Sequence, residues 1–177
     1  KPKTVTYSYD NNANLSTVIT TPDDPTNQIT QTFNYDDYGN IIELSTQSIE
    51  EAQDDKTRTA KLTYDAEGLF LKTTTNALGH ITHYSTNRSL GTPRWVKDPT
   101  GIELHNLQDG FGRPKFHYSL INGQLIGKIL ETDYTQIPLG NDQEDKPLWG
   151  LKITQTGKEL GTSIQDYDRY GRLVHSQ

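Results

Sequence analysis

Short runs of alternating apolar and polar residues fill the chain, separated by clusters of Asp, Asn and Gly. Val5, Tyr7 and Tyr9 alternate with Thr6 and Ser8, and Ile29, Phe33 and Tyr35 fall on one side of the next clear run. Side chains that alternate with a period of two mark strands. This pattern predicts strands at 5–9, 15–21, 29–35, 41–46, 61–64, 69–75, 81–84, 93–96 and 102–107. Further strands follow at 114–120, 125–134, 148–154, 160–167 and 173–175. No long helix is predicted, and strands at such regular spacing mean an all-β architecture of antiparallel hairpins. Pro22-Asp23-Asp24-Pro25 cannot sit in a sheet and reads as a loop. Two acidic stretches, at about 47–57 and 138–147, read as surface loops inserted into the pattern.

The breaks between runs share one form. Tyr35-Asp36-Asp37-Tyr38-Gly39-Asn40-Ile41 returns as Tyr64-Asp65-Ala66-Glu67-Gly68-Leu69-Phe70 and as Tyr167-Asp168-Arg169-Tyr170-Gly171-Arg172-Leu173. Tyr9-Asp10-Asn11-Asn12-Ala13-Asn14-Leu15 is a weaker copy. Asn76 with Gly79, Asp98 with Gly101 and Asp109 with Gly112 keep the Asx-x-x-Gly spacing, and Asn87 with Gly91 keeps it with one extra residue. From Asp65 to Asp109 the copies advance in steps of 11 residues. Such self-similarity marks a repeat protein. Asp or Asn at the first turn position accepts a backbone hydrogen bond from two residues on. Gly at the fourth position takes the left-handed conformation that closes a three-residue hairpin loop. Ala13 occupies that position in the first copy, so its turn is expected to be irregular. Ile121-Asn122-Gly123-Gln124 is a second kind of hairpin signal.

Composition sharpens this picture. Leu, Ile, Val and Phe make up only about 21% of the chain, near the range of disordered sequences. Ten tyrosines, many threonines and regular turns argue for order. So few apolar residues suit a sheet with one buried face and one wet face rather than a thick core. A net charge of −6 without a basic stripe excludes a nucleic-acid partner. No apolar run approaches a transmembrane helix, so no membrane insertion is expected of this segment. The absence of cysteine excludes disulfides and thiol catalysis.

The tyrosine–aspartate–glycine units resemble those of YD-repeat, or Rhs-repeat, proteins. Tyr167-Asp168-Arg169-Tyr170-Gly171-Arg172-Leu173 is similar to the family's Tyr-Asp-x-x-Gly-Arg-Leu form. Asp98-Pro99-Thr100-Gly101 resembles the intervening half of the longer repeat, and Asp109-Gly110-Phe111-Gly112-Arg113 resembles a degenerate copy. The resemblance touches residues 1–177 apart from the two acidic loops. The family occurs in bacterial polymorphic toxins, insecticidal toxin complexes and animal teneurins. The resemblance implies a long sheet that curves into a hollow β-shell, enclosing a C-terminal effector in the toxins. It implies a secreted or cell-surface bacterial protein. The partners it implies are the rest of the same repeat chain and the enclosed effector. The chain begins and ends within the repeat and is expected to be a piece of something longer. Nothing in it resembles the family's C-terminal core region or a toxic domain.

The residues singled out are therefore structural: Tyr35, Asp36, Gly39, Tyr64, Asp65, Gly68, Asn76, Gly79, Asp98, Gly101, Asp109, Gly112, Tyr167, Asp168 and Gly171. Asp36, Asp65 and Asp168 recur at turns, which is a simpler reading than catalytic carboxylates. His80 and His83, three apart on a strand, face opposite sides and do not chelate one ion. Asp142, Glu144 and Asp145 lack the spacing of a calcium loop. No cofactor and no metal are expected, and the chain is not read as an enzyme. Tyr38, Tyr84, Trp95, Phe111, Tyr118 and Trp149 are taken chiefly as packing residues. Stacking on cell-surface glycans is the alternative function: a carbohydrate-binding repeat module instead of a shell wall. Asn14-Leu15-Ser16 and Asn87-Arg88-Ser89 are glycosylation sequons, without meaning in a bacterial protein.

Overall fold

The computed structural model describes residues 3–24, 26–50, 53–157 and 161–177. All regular structure among them is β-strand. The chain forms two compact units, Lys1–Ser85 and Thr86–Gln177.

The first unit contains β1 (Val5–Tyr9), β2 (Leu15–Thr20), β3 (Ile29–Tyr35), β4 (Ile41–Glu50), β5 (Gln53–Tyr64), β6 (Leu71–Thr75) and most of β7 (Ile81–Asn87). Each strand pairs antiparallel with its neighbours in sequence. Tyrosine pairs across a register shift at three hairpins: Tyr9 with Leu15, Tyr35 with Ile41 and Tyr64 with Leu71. A bulge of this kind is what a left-handed residue at the end of the loop produces.

The second unit continues with β8 (Thr92–Lys97), β9 (Ile102–Gln108), β10 (Pro114–Ile121), β11 (Gln124–Asn141), β12 (Pro147–Gly157), β13 (Gly161–Tyr167) and β14 (Leu173–Ser176). These also pair antiparallel in order of sequence. Asn122-Gly123 forms the β10–β11 turn, with both residues at positive φ. No helix among the described residues is long and apolar enough to cross a membrane.

The two acidic stretches are hairpin ends rather than inserted loops. Residues 47–57 extend the β4–β5 hairpin, with Gln47 opposite Thr57, Ser48 opposite Lys56 and Glu50 opposite Gln53. Residues 51 and 52 lie outside the described set. The second stretch is half strand, with Asn141 opposite Pro147 and residues 142–146 forming a tight turn between them. Ladder hydrogen bonds need no apolar side chain, so a uniformly polar strand carries no alternation to read. Pro138 is accommodated because the register shifts between it and Asn141, and Pro147 begins its strand; both are places where a missing N–H is tolerated. The tip at 155–158 also differs: β12 runs through Gly157, and residues 158–160 lie outside the described set.

The expectation of one buried face is also corrected. Among the described residues no hydrophobic side chain is buried, and Thr132 is the one buried polar residue. Apolar side chains among the described residues are half-covered by strand neighbours or exposed. Cross-strand pairs do the holding instead. Ser45 and Thr59 hydroxyls lie 3.0 Å apart and those of Thr63 and Thr73 2.7 Å apart. Glu103 pairs with Lys97 at 3.2 Å. The Arg113 guanidinium lies over the Tyr134 ring at 4.1 Å. Lys115 pairs with Asp133 at 2.5 Å, which pushes the Lys115 ammonium up.

Candidate functional site: the turn rows and the cleft between two turns

Turns that begin at Asp10, Asp36, Asn76, Asp98, Asp109, Asp142 and Asp168 share one hydrogen-bond pattern. The N–H of the first residue donates to the carbonyl four residues on at 2.9–3.0 Å, and the N–H of the fourth donates back to the first at 2.9–3.1 Å. The Asx Oδ1 accepts from the third residue's N–H at 2.9–3.0 Å. The same Oδ1 accepts from the fifth residue's N–H at 2.8–3.0 Å. One oxygen thus satisfies two donors that the tight loop leaves without a backbone partner. The fourth residue has φ of 60–91° throughout: Ala13, Gly39, Gly79, Gly101, Gly112, Asp145 and Gly171.

Two turns depart. The Asp65 turn is one residue longer: its N–H donates to Phe70, and its Oδ1 accepts from Leu69 and Phe70. That is why β6 begins at Leu71, two residues later than its sequence suggests. At Asn87 the Gly91 N–H reaches back to the Asn87 carbonyl at 2.8 Å instead.

The first copy is regular, not irregular. Ala13 accepts φ 63° and the full set of hydrogen bonds forms. The Asp142 turn is one that sequence reading missed. Its left-handed residue is Asp145, not Gly, and aspartate is among the few side chains that visit that conformation readily.

These carboxylates are electrostatically tuned as acceptors. Hydrogen bonds from Asn14 hold the Asp10 carboxyl below its ordinary range, and those from Thr100 and Arg172 do the same for Asp98 and Asp168. At Asp36 and Asp109 desolvation pushes upward, but hydrogen bonds from Asn40 and Arg113 outweigh it. Arg113 Nε and Arg172 Nε each reach Oδ2 of their aspartate at 2.7 Å. In Asp36, Asp65 and Asp168 alike, Oδ1 accepts from two backbone N–H groups of its own turn.

The tyrosines before the aspartates tie each hairpin to the previous one. Tyr35 donates its hydroxyl to the Leu15 carbonyl at 2.8 Å, and Tyr64 to that of Ile41 at 3.2 Å. Desolvation, and second the Asp36 carboxylate, push the Tyr64 hydroxyl up. Tyr167 differs, donating to Gln165 Oε1 at 2.9 Å.

In the first unit the turns joining β1–β2, β3–β4 and β5–β6 lie along the same end of the sheet, since antiparallel strands alternate in direction. The last two are latched together. A Cβ built on Gly68 would lie 2.5 Å from Tyr38 Cδ2, so the ring rests on the glycine backbone. Tyr38 also donates to the Ala66 carbonyl at 3.4 Å, and Asn40 Nδ2 donates to the Gly68 carbonyl at 2.8 Å. Between the first two turns the counterpart space is open. It is a cleft of about 570 Å³ whose lining includes Asp10, Asn12, Asn14, Tyr35, Asp37 and Gly39. Beside Gly39 nothing lies within 4 Å of a built Cβ.

The remaining residues singled out by sequence scatter. His80 sits in the Asn76 turn, 3.5 Å from Asn76 Nδ2, and His83 pairs with Thr73 on the strand. Among the described residues no three His, Asp or Glu side chains converge at metal-binding distance. Asp142 is occupied by its turn, Glu144 pairs with Lys146 at 2.5 Å, and Asp145 accepts from Asn141 at 2.6 Å. Of the aromatics, Tyr84, Trp95 and Tyr118 are half-buried, whereas Tyr38, Phe111 and Trp149 are exposed. Trp95, His105 and Tyr118 form a row across three strands, with the His105 and Tyr118 rings stacked at 4.7 Å. The His105 hydrogen bond also holds the Glu103 carboxyl low.

No family model matches the chain, and no curated protein sequence matches it. Among solved structures, the crystal structure of TcdB2-TccC3-TEV matches 99% of this chain at 14% identity, with a TM-score of 0.51. The likeness is one of fold. This chain spans only 10% of that protein's length. Structures of TcdB2-TccC3, and of TcdB2-TccC3 without its hypervariable C-terminal region, match at TM-scores of 0.32 and 0.31 and identities of 11% and 12%. Each of these matches covers 98% of this chain, and 15% and 14% of theirs.

Proposed function

We propose that the chain is a stretch of wall in a toxin-complex β-shell, which shields an effector polypeptide until delivery. The observation that carries this reading is a hairpin sheet with no hydrophobic core of its own: among the described residues no apolar side chain is buried. A sheet open on both faces is completed by neighbours. The fold likeness over 99% of the chain, against a tenth of a far longer one, supports a segment within a larger wall. The tyrosine–aspartate–glycine units point to the same family of toxins. On this reading the mechanism is steric. Ladder hydrogen bonds make a continuous barrier, Asx turns fix its rims, and the chain catalyses nothing and holds no cofactor. Its partners are the neighbouring repeats and the enclosed effector, and its place is outside the producing cell.

Light scattering after size exclusion, combined with binding of a dye specific for apolar surface, tests this. The isolated chain should self-associate and bind dye strongly, because its edges and faces lack their neighbours. A compact monomer that binds no dye would overturn the wall reading.

A further inference from the structure

We infer that the cleft between the Asp10 and Asp36 turns is a receptor for the phenol ring of a tyrosine from another polypeptide. The argument is internal to the first unit and does not depend on the wall reading. Along this row the third residue of one turn covers the left-handed glycine of the next. Tyr38 covers Gly68 in this way, and its hydroxyl donates to the carbonyl of Ala66, the second residue of that next turn. A looser cover occurs in the second unit, where Leu90, the fourth residue of the longer Asn87 turn, brings Cδ2 to 3.4 Å from a Cβ built on Gly112.

At the Asp10 turn the third residue is Asn12, whose short amide leaves the seat empty. Gly39 has φ 83°, as Gly68 has 68°, and a built Cβ there meets nothing within 4 Å. Asp37, the counterpart of Ala66, lines the cleft, so by analogy with the Tyr38–Ala66 bond its carbonyl is the acceptor assigned to the phenol hydroxyl. Tyr35, pinned by its hydroxyl to Leu15, supplies a fixed aromatic wall. Asn14 Nδ2 and Asn40 Nδ2 each donate to Oδ2 of their own aspartate at 3.1 Å, and Asn40 Nδ2 donates in addition to the Gly68 carbonyl of the next turn. The cleft thus has a bare glycine seat, a carbonyl for the hydroxyl and an aromatic wall, matching the one ring that the same row already holds.

The experiment is a titration of the whole chain with N-acetyl-tyrosinamide, followed by amide NMR shifts of Gly39 and Asn14. A ligand this small should bind with a Kd of about a millimolar. N-acetyl-phenylalaninamide, which lacks the hydroxyl, should bind about 3- to 10-fold more weakly. Asn12→Tyr should fill the seat from within and abolish the shifts. Asn12→Ala, which keeps the turn's backbone donors, should bind as the native chain does. Nuclear Overhauser contacts from ring protons to the Gly39 Hα should appear in the native chain and in Asn12→Ala. Absence of shifts at 50-fold the expected Kd, about 50 mM, would overturn the inference. So would shifts that persist in Asn12→Tyr, or shifts at these amides with a monosaccharide but not with the phenol.

Discussion

Gly39 and Gly68 occupy the same position of neighbouring turns, yet alanine should cost very different amounts at the two. Both residues are left-handed, at φ 83° and 68°, so a Cβ brings the same backbone strain of about 1–2 kcal/mol. Part of that is offset because alanine stiffens the unfolded chain, leaving about 1 kcal/mol. At Gly39 nothing else is met. At Gly68 the new Cβ would lie 2.5 Å from Tyr38 Cδ2, 2.6 Å from Cγ and 3.1 Å from Cβ. These atoms are the base of the side chain, so the ring must change rotamer rather than tilt. Overpacking of this kind costs roughly a further 1–3 kcal/mol. Gly68→Ala should therefore lose about 2–4 kcal/mol where Gly39→Ala loses about 1. Urea unfolding followed by far-ultraviolet circular dichroism reads the difference. With a slope of about 1 kcal/mol per molar, the midpoint should fall by about 1 M and by about 2–4 M respectively. In a Tyr38→Ala background the two losses should converge, since the clash is gone and only backbone strain remains. Equal losses in the Tyr38 background, or a gap that survives removal of the ring, would refute the latch between these turns.

Three other perturbations follow from the same geometry. Ala13→Gly should raise stability by about 0.5–1 kcal/mol, because Ala13 holds φ 63°; a lowered urea midpoint would contradict the assignment. Gly150→Ala should destabilise by about 3 kcal/mol or more, since its Cβ would lie 2.3 Å from the Tyr167 carbonyl oxygen and strands β12 and β13 would have to part; wild-type thermal melting would contradict this. Stability should fall in acid: Asp10, Asp36, Asp98, Asp109 and Asp168 have folded values below their ordinary 3.8, so their contribution is complete above that value and is lost as pH falls through the lower folded ones. Urea midpoints measured from pH 7 to 2 should drop below about pH 4, Asp168→Asn should lessen the drop, and a flat profile would count against the turn carboxylates.

Turn chemistry is what made this fold legible. A hydrogen-bonding Asx and a residue tolerant of positive φ must stand at fixed separation, so position alone locates Asp36, Asp98 or Asp168. The Asp142 turn escaped because its left-handed residue is Asp145, and the acidic composition around it suggested a loop. The β4–β5 extension escaped for a related reason. Strand prediction reads alternation, and a run as predominantly polar as 47–57 carries none. The same gap explains the expected buried face: nothing in a half-apolar strand says whether a second layer exists. The Tyr38 latch and the empty seat at Gly39 were not legible at all. They depend on which turns share an end of the sheet, which pairing order decides and single motifs do not.

Within each unit every pairing joins strands that are neighbours in sequence, and this has a kinetic side. Loops of a few residues close in well under a microsecond and hairpins form in microseconds. Low sequence separation of contacts favours fast folding even for a sheet. The chain can therefore acquire structure as it emerges, each hairpin laid on the last, without waiting for a distant segment. The reverse also holds. Pulled from its C-terminal end, the second unit yields β14 by breaking only its ladder with β13, so mechanical release runs strand by strand, like a zip and not like the rupture of a core.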